Sequence, residues 1–372
     1  MESEGRLSAL GDNALKLGVF GVNVSHGCSI STAEGNIEVN WPESVKIAIQ
    51  ADQAGIEAMV PVARWKGFGG QTNFNHRSFD TYTWAAGLAQ ATERILVFTT
   101  TQVPTIHPVL AAKQAATIDH ISGGRFGLNI VAGWNADEIG MFGKQQLAHD
   151  QRYEVAAEWI ELIKRLWTEP ESFDFQGRYF QCPRAYAEPK PVQQPHPLVM
   201  SAGVSPAGRA FAAQHADMNF LLAADLEGVK EIATDVRRLA AQYEREVSVW
   251  GMAVPVIGDT EKEAREYFHY YVDEKGDWEA ARNLLDNVMP ESESFDPARA
   301  QEMLRHLVEG YAALPIVGTA EQVADGLIEF HKAGVDGLTL SWVNYEEGLA
   351  RFSAEVLPLL EQAGVRKPRS NG

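Results

Sequence analysis

The chain has 372 residues, 45% of them hydrophobic, enough for one large barrel of alternating strands and helices or for two smaller domains. A formal net charge of −18 excludes nucleic acid or an anionic membrane as the main partner, because no basic patch could offset that field. Two distant cysteines, Cys28 and Cys182, the lack of a signal-peptide core and the absence of any apolar run of ~18 residues predict a cytoplasmic location.

Strand-like and helix-like stretches alternate along the chain. Leu15 to Val24 reads as the first strand, and Pro42 to Ala54 as a helix stopped by Gly55. Ala58 to Ala63 is the second strand, followed by the turn-rich loop Gly67 to Asn73. A helix near Asp80 to Thr92, the β-branched strand Ile95 to Thr101 and a helix over Pro108 to Ile121 come next. The fourth strand, with Phe126, Leu128, Ile130 and Val131, lies between Gly123-Gly124 and Gly133-Trp134-Asn135 and looks buried on both faces. Asn129 interrupts it. An unpaired amide there costs roughly 1–3 kcal/mol, so Asn129 must bond to neighbouring backbone or face a ligand.

Asp150 is placed to cap a helix running to Trp167, with Tyr153, Ala156, Ile160, Ile163 and Trp167 on one face. Residues 169–197 read as an excursion with a short hairpin around Gly177. The pattern resumes with the strand Leu198 to Gly203, a helix opened by Ser205-Pro206 and the strand Met218 to Ala223. A helix over Leu226 to Tyr243, a strand over Val247 to Ile257 and a helix over Thr260 to Val272 follow, then a mostly helical insertion at 273–310. Gly318 starts a helix through His331, Gly337 to Trp342 is the last strand, and a closing helix reaches Ala363. Eight strand–helix units predict an α/β protein of (β/α)8 barrel type, one domain over 1–372, with 169–197 and 273–310 inserted after the fourth and seventh units. The alternative is an open doubly wound sheet.

In such a barrel, function gathers at the C-terminal ends of the strands. Those ends carry Asn23, Ser25, His26, Arg64, Thr99 to Gln102, Asn129, Trp134, Asn135, Ser201, Ser205, Ser341, Trp342 and Asn344. Ser205-Pro206 opens a helix whose free N–H groups and dipole would attract a phosphate, and Arg152 and Tyr153 could add a guanidinium and a phenol. Separately, Ser205 also reads as a simple cap and Arg152 as the partner of a surface carboxylate. Dinucleotide, P-loop, zinc-protease and serine-hydrolase motifs are missing, and the histidines, including His26, His107 and His149, are scattered. A phosphate seat without a nucleotide fingerprint suggests flavin mononucleotide or a sugar phosphate.

Ala111 to Trp134, the loop Lys66-Gly-Phe-Gly-Gly-Gln-Thr72, the helix start Asp150-Gln-Arg-Tyr153 and Ser201-Ala-Gly-Val-Ser205 resemble the bacterial luciferase-like flavin monooxygenases. Within them the chain is most similar to the pyrimidine and dimethyl sulfone monooxygenases, from about Leu15 to Phe220 and more loosely to its end. The resemblance implies a barrel that takes reduced FMN from a separate NAD(P)H flavin reductase and uses it with O2. A peroxide formed at flavin N5 would attack a small electron-poor substrate, most directly a pyrimidine- or pyridine-type nitrogen heterocycle. It also implies homodimers or homotetramers. By motif, Ala63 and Arg64 would touch the flavin and Asn129 and Glu138 would hold its ring side and ribityl chain. Arg152, Tyr153 and Ser205 would bind ribityl and phosphate, while Thr100 and Asn129 would form the oxygen pocket. Ala63-Arg64 replaces the Ile-Lys of pyrimidine monooxygenases, keeping the cation but changing its shape, which bears on uracil as a substrate. A neutral polar pocket rich in Thr, Asn, Trp and Ser is expected. A sulfone or haloaromatic monooxygenase and a non-catalytic flavin-binding barrel are the competing readings.

Overall fold

A computed structural model describes Leu7 and residues 10–223, 225–289 and 296–368. Its strands are β1 (Lys16–Phe20), β2 (Ala58–Val60), β3 (Leu96–Gln102), β4 (Phe126–Val131), β5 (Phe173–Gln176), β6 (Gln181–Ala185), β7 (Leu198–Ser201), β8 (Met218–Phe220), β9 (Ser248–Ile257), β10 (Leu314–Gly318) and β11 (Gly337–Leu340). Eight of them close a parallel ring in the order β1, β2, β3, β4, β7, β8, β9, β11 and back to β1. The barrel expected from the alternating pattern is therefore present, and the open sheet is excluded.

Side chains alternate across the barrel wall, as the two-residue period of a strand requires. Leu17, Val19, Val97, Leu128, Val199, Val249 and Leu338 face outward into a core shared with Ile47, Trp84, Ala112 and Trp159 of the surrounding helices. Phe20, Val60, Phe98, Met200, Met218, Phe220, Trp250 and Met252 belong to a second core in the interior. The floor of the barrel is filled by two large rings whose space is left by glycines. A Cβ on Gly127 would collide with Phe98, and one on Gly337 with Trp250. Higher up the same inward faces, the residues are Thr100, Gln102, Asn129 and Val131, whereas Thr99 and Thr101 on the other face of β3 bond to Thr81 and Tyr82 of the neighbouring helix.

The first insertion has its expected hairpin, and the second differs in detail from its expected form. Residues 169–197 contain the hairpin, as β5 and β6, pairing antiparallel around Gly177. Between β9 and β11, helix Glu261–His269 runs into a π turn, Tyr270–Glu274, and then come helices Trp278–Val288 and Pro297–Gly310. A ninth parallel strand, β10, follows and pairs with the upper half of β9, Leu314 opposite Ala253 through Gly318 opposite Ile257. Pro315 inside that short run hid it, since proline demotes a strand reading. One cap also needs correcting: the long helix is His149–Thr168, beginning a residue before Asp150, which sits in the first turn. There its charge favours the helix dipole without capping a backbone N–H.

Candidate active site

At the upper end of the barrel lies a cavity of about 310 Å³. Its polar wall is made by Arg64, Thr100, Gln102 and Asn129; Phe20, Phe220, Leu222 and Val131 supply apolar surface. The roof is the second insertion, through Leu284 and Val288 of helix Trp278–Val288 and Leu307 and Tyr311 at the end of helix Pro297–Gly310. That roof is anchored at both ends. Asp277 accepts from the Thr72 backbone N–H at 2.7 Å and its hydroxyl at 2.9 Å, and Asn283 donates to Phe68 O at 2.7 Å, which ties it to the glycine-rich loop. At the far end Tyr311 and Ala312 adopt left-handed backbone conformations, φ 60° and 64°. Such strain is of the order of 1–3 kcal/mol per residue, held here by Tyr311 packing on Phe74 and accepting a bond from Arg64.

The hydrogen bonds on the wall have a definite direction. Thr100 donates its hydroxyl to Pro61 O at 2.5 Å, so its oxygen must accept from Asn129 Nδ2, at 3.1 Å. This leaves Asn129 Oδ1 without a partner although it is buried. Gln102 is fixed in the same way. Its Nε2 donates to Glu138 at 2.7 Å, and since a carboxylate only accepts, the orphan atom is Gln102 Oε1. Two acceptors thus stand unmet on one wall, and each costs about 1–3 kcal/mol if nothing arrives to satisfy it.

Glu138 itself stands behind that wall and is not among the residues lining the cavity. One carboxylate oxygen accepts from the Trp65 and Lys66 backbone N–H groups at 2.8 and 3.2 Å; the other accepts from Gln102 at 2.7 Å and Arg64 at 3.2 Å. The pair is deeply buried, with Arg64 and Glu138 side chains 2% and 0% exposed. The Arg64 guanidinium also lies 4.9 Å from the ring centroids of both Phe68 and Trp134, close enough for cation–π attraction.

Beside the cavity, next to its lining residue Val204, Ser205 caps helix Pro206–His215 by accepting from Gly208 N–H at 3.1 Å. Gly203 and Gly208 press together there, and a Cβ on Gly208 would come within 2.7 Å of both Gly203 Cα and the Tyr153 hydroxyl. Arg152 donates Nη1 to Gly133 O at 2.6 Å, beyond the end of β4, while its buried Nε has no partner. Tyr153 and Ser205 therefore meet at one helix start, with Arg152 alongside Tyr153. Ala63 lines the cavity at the end of the second strand. His26, His107 and His149 do not line it: His107 accepts from Val109 N–H at its own helix start, and His149 pairs with Asp150.

The sequence placed Gln102 among the strand ends but gave it no role; Tyr311 and Leu307 were missed, because they lie at and near the end of a helix whose path no local pattern reveals. The pocket is also more apolar than expected, because Pro61, Val62, Val131 and Val204 line it together with the two phenylalanines and the roof. Among the described residues no group of side chains is arranged to hold a metal ion, and no helix is long and apolar enough to cross a membrane.

The family model described as luciferase-like monooxygenase matches residues 17–337. The FMNH2-dependent dimethylsulfone monooxygenase of Pseudomonas putida is 30% identical over 94% of this chain and 96% of its own. The pyrimidine monooxygenase RutA of Acinetobacter baylyi is 30% identical over 93% and 95%. In fold, the chain is similar to a riboflavin lyase crystallised with modified FMN and riboflavin, with a TM-score of 0.85 at 23% identity, covering 96% of this chain and 94% of the other.

Proposed function

This chain belongs to the luciferase-like monooxygenase family, and from that premise we propose that it is the oxygenase half of a two-component, FMN-dependent system. Reduced FMN comes from a separate NAD(P)H flavin reductase, and one atom of O2 is placed on a small electron-poor substrate. The residues fit the cofactor: Gly203 and Gly208 approach each other and the Tyr153 hydroxyl this closely only because neither has a side chain, and the orphan Arg152 Nε lies beside Tyr153. Bound reduced flavin supplies the two electrons that O2 activation needs and that side chains cannot provide.

What the chain contributes is position, polarity and dryness. The helix start at Ser205, Arg152 and Tyr153 bind the ribityl phosphate end through free N–H groups, charge and a phenol. Ala63 and Arg64 sit against the ring; Asn129, held by Thr100, offers the reacting edge an amide whose orientation is already fixed, so none is lost to reorganisation during reaction. Glu138 acts from behind by holding Arg64 and Gln102 in place. Leu284, Val288 and Leu307 close the chamber against water.

The observation that carries the substrate reading is the pair of unmet acceptors, Gln102 Oε1 and Asn129 Oδ1, on the polar wall of an otherwise largely apolar cavity. A flat nitrogen heterocycle of pyrimidine or pyridine type that carries a ring N–H, as uracil and 2-pyridone do, supplies a donor and an apolar face. A sulfone has only acceptors and leaves both oxygens unmet. Absorbance titration with FMN and reduced FMN, then oxygen-dependent consumption of uracil, 2-pyridone and dimethyl sulfone with a reductase present, tests both levels. Indifference to reduced FMN overturns the function. Faster loss of the sulfone than of either heterocycle overturns the substrate class.

A further inference from the structure

A second cavity, of about 380 Å³, lies beside the upper end of β9 and shares no lining residue with the barrel cavity. Its walls are residues 254–259, helix Glu261–His269 with the following π turn, and the stretch from Trp342 into helix Tyr345–Arg351. Trp342 is only 6% exposed, yet its Nε1–H has no hydrogen-bond partner. A buried donor left so costs about 1–3 kcal/mol, which a ligand acceptor would recover. Tyr267 and Tyr271 add aromatic surface.

The charges on the wall are unbalanced. Arg351 is already committed, with Nε on Glu355 at 3.0 Å, Nη1 on Ile257 O at 3.1 Å and Nη2 on Asp259. Glu263 accepts from the Thr260 backbone N–H and Glu347 from Asn344, each at 3.2 Å, but among the described residues neither has a cation against it. Burial, with Glu347 behind it, pushes the Tyr267 phenol up to about 12, so the ring stays neutral and electron-rich. Two unpaired carboxylates and aromatic rings suit a cation; an orphan indole N–H suits an acceptor.

We propose that this cavity is a second ligand site, taking a small amine whose ammonium group rests against Glu347, Glu263 and the Tyr267 ring while a nearby hydroxyl or carbonyl oxygen accepts from Trp342. An anion is repelled by the two carboxylates, and a neutral molecule leaves them unpaired.

The test is titration of the full chain with 2-amino-1-phenylethanol, 1-phenylethanol and phenylacetate, by calorimetry and by the 15N-indole resonance that disappears in Trp342→Phe. The amine is expected to bind saturably and at least tenfold more tightly than the alcohol, to shift that one resonance, and to lose tenfold or more in Glu347→Gln with reduced-FMN binding unchanged. Phenylacetate is expected not to bind. Equal binding of the three probes, an unmoved Trp342 resonance, or amine affinity retained when Glu347→Gln and Glu263→Gln are combined overturns the assignment. So does displacement of the amine by FMN, which would place it in the barrel.

Discussion

Replacing Glu138 by glutamine tests the buried wall most directly. The substitution keeps the shape of the side chain but exchanges one accepting oxygen for an NH2 group, in a place where four N–H donors converge from Trp65, Lys66, Gln102 and Arg64. Whichever way the new amide turns, one pair of donors faces another donor, and Arg64, 2% exposed, keeps its charge without a counter-charge. Removing one partner of a buried pair costs about 3–5 kcal/mol. Arg64→Met leaves a buried carboxylate still held by three N–H groups and should cost less. The double variant removes both charges, so its loss should fall short of the summed single losses by about 2 kcal/mol or more. Urea unfolding of the four proteins, followed by tryptophan fluorescence and circular dichroism, measures each term. A loss below about 1 kcal/mol in Glu138→Gln, or strict additivity in the double variant, would refute the claim that this pair holds the wall.

Asn129→Ala and Thr100→Ala should each lower turnover about 10²-fold with the fold intact, since one removes and the other unfixes the amide at the reacting edge; steady-state assays with a reductase and a melting curve check both. Gly208→Ala should abolish reduced-FMN binding, because its Cβ would meet Tyr153 Oη and Gly203 Cα at 2.7 Å; fluorescence titration under anaerobic conditions would show it. Arg152→Met should weaken the same binding about tenfold to a hundredfold while leaving the helix start capped by Ser205. Burial, then Lys164 and Arg245, lowers His215 to about 4. Its folded value lies below the ordinary 6.5, so the unfolded chain binds the extra proton first. Its contribution is present in full above about pH 6.5 and is lost as the pH falls toward 4, by at most about 3 kcal/mol. His215→Gln should flatten that part of the stability–pH curve in urea unfolding at pH 7 and pH 5.

The barrel was legible because its strands carry their signal locally. Phe126, Leu128 and Ile130 fill the helix-facing side of β4, and Gly123-Gly124 and Gly133 mark where the strand begins and stops. Asn129 stood out for the same reason: a lone amide in such a run has to be accounted for, and the structure turns it inward beside Thr100. Ser205-Pro206 announced its helix start correctly, because capping depends on one hydroxyl and one fixed φ. What stayed hidden depends on distant chain. No spacing tells that Glu138 reaches back 74 residues to Arg64, or that Leu284 and Leu307 close over β3 and β4. The polarity of the cavity was misjudged in part for that reason, since Leu284, Val288 and Leu307 arrive from the second insertion, and in part because Phe20, Pro61, Val62, Val131 and Phe220 at the strand ends also line it.

The ceiling of the barrel cavity enters at Asp277 and leaves at Tyr311, whereas the helix start proposed to hold phosphate and the acceptor wall are built from barrel strands and helices outside that stretch. Grafting a different segment between those two anchor points would therefore change which molecules are admitted and leave affinity for the electron donor as it was. In a chain built this way, the room left for the target is trimmed by a piece of polypeptide other than the one that grips the fuel, and that trimming is open to revision by itself.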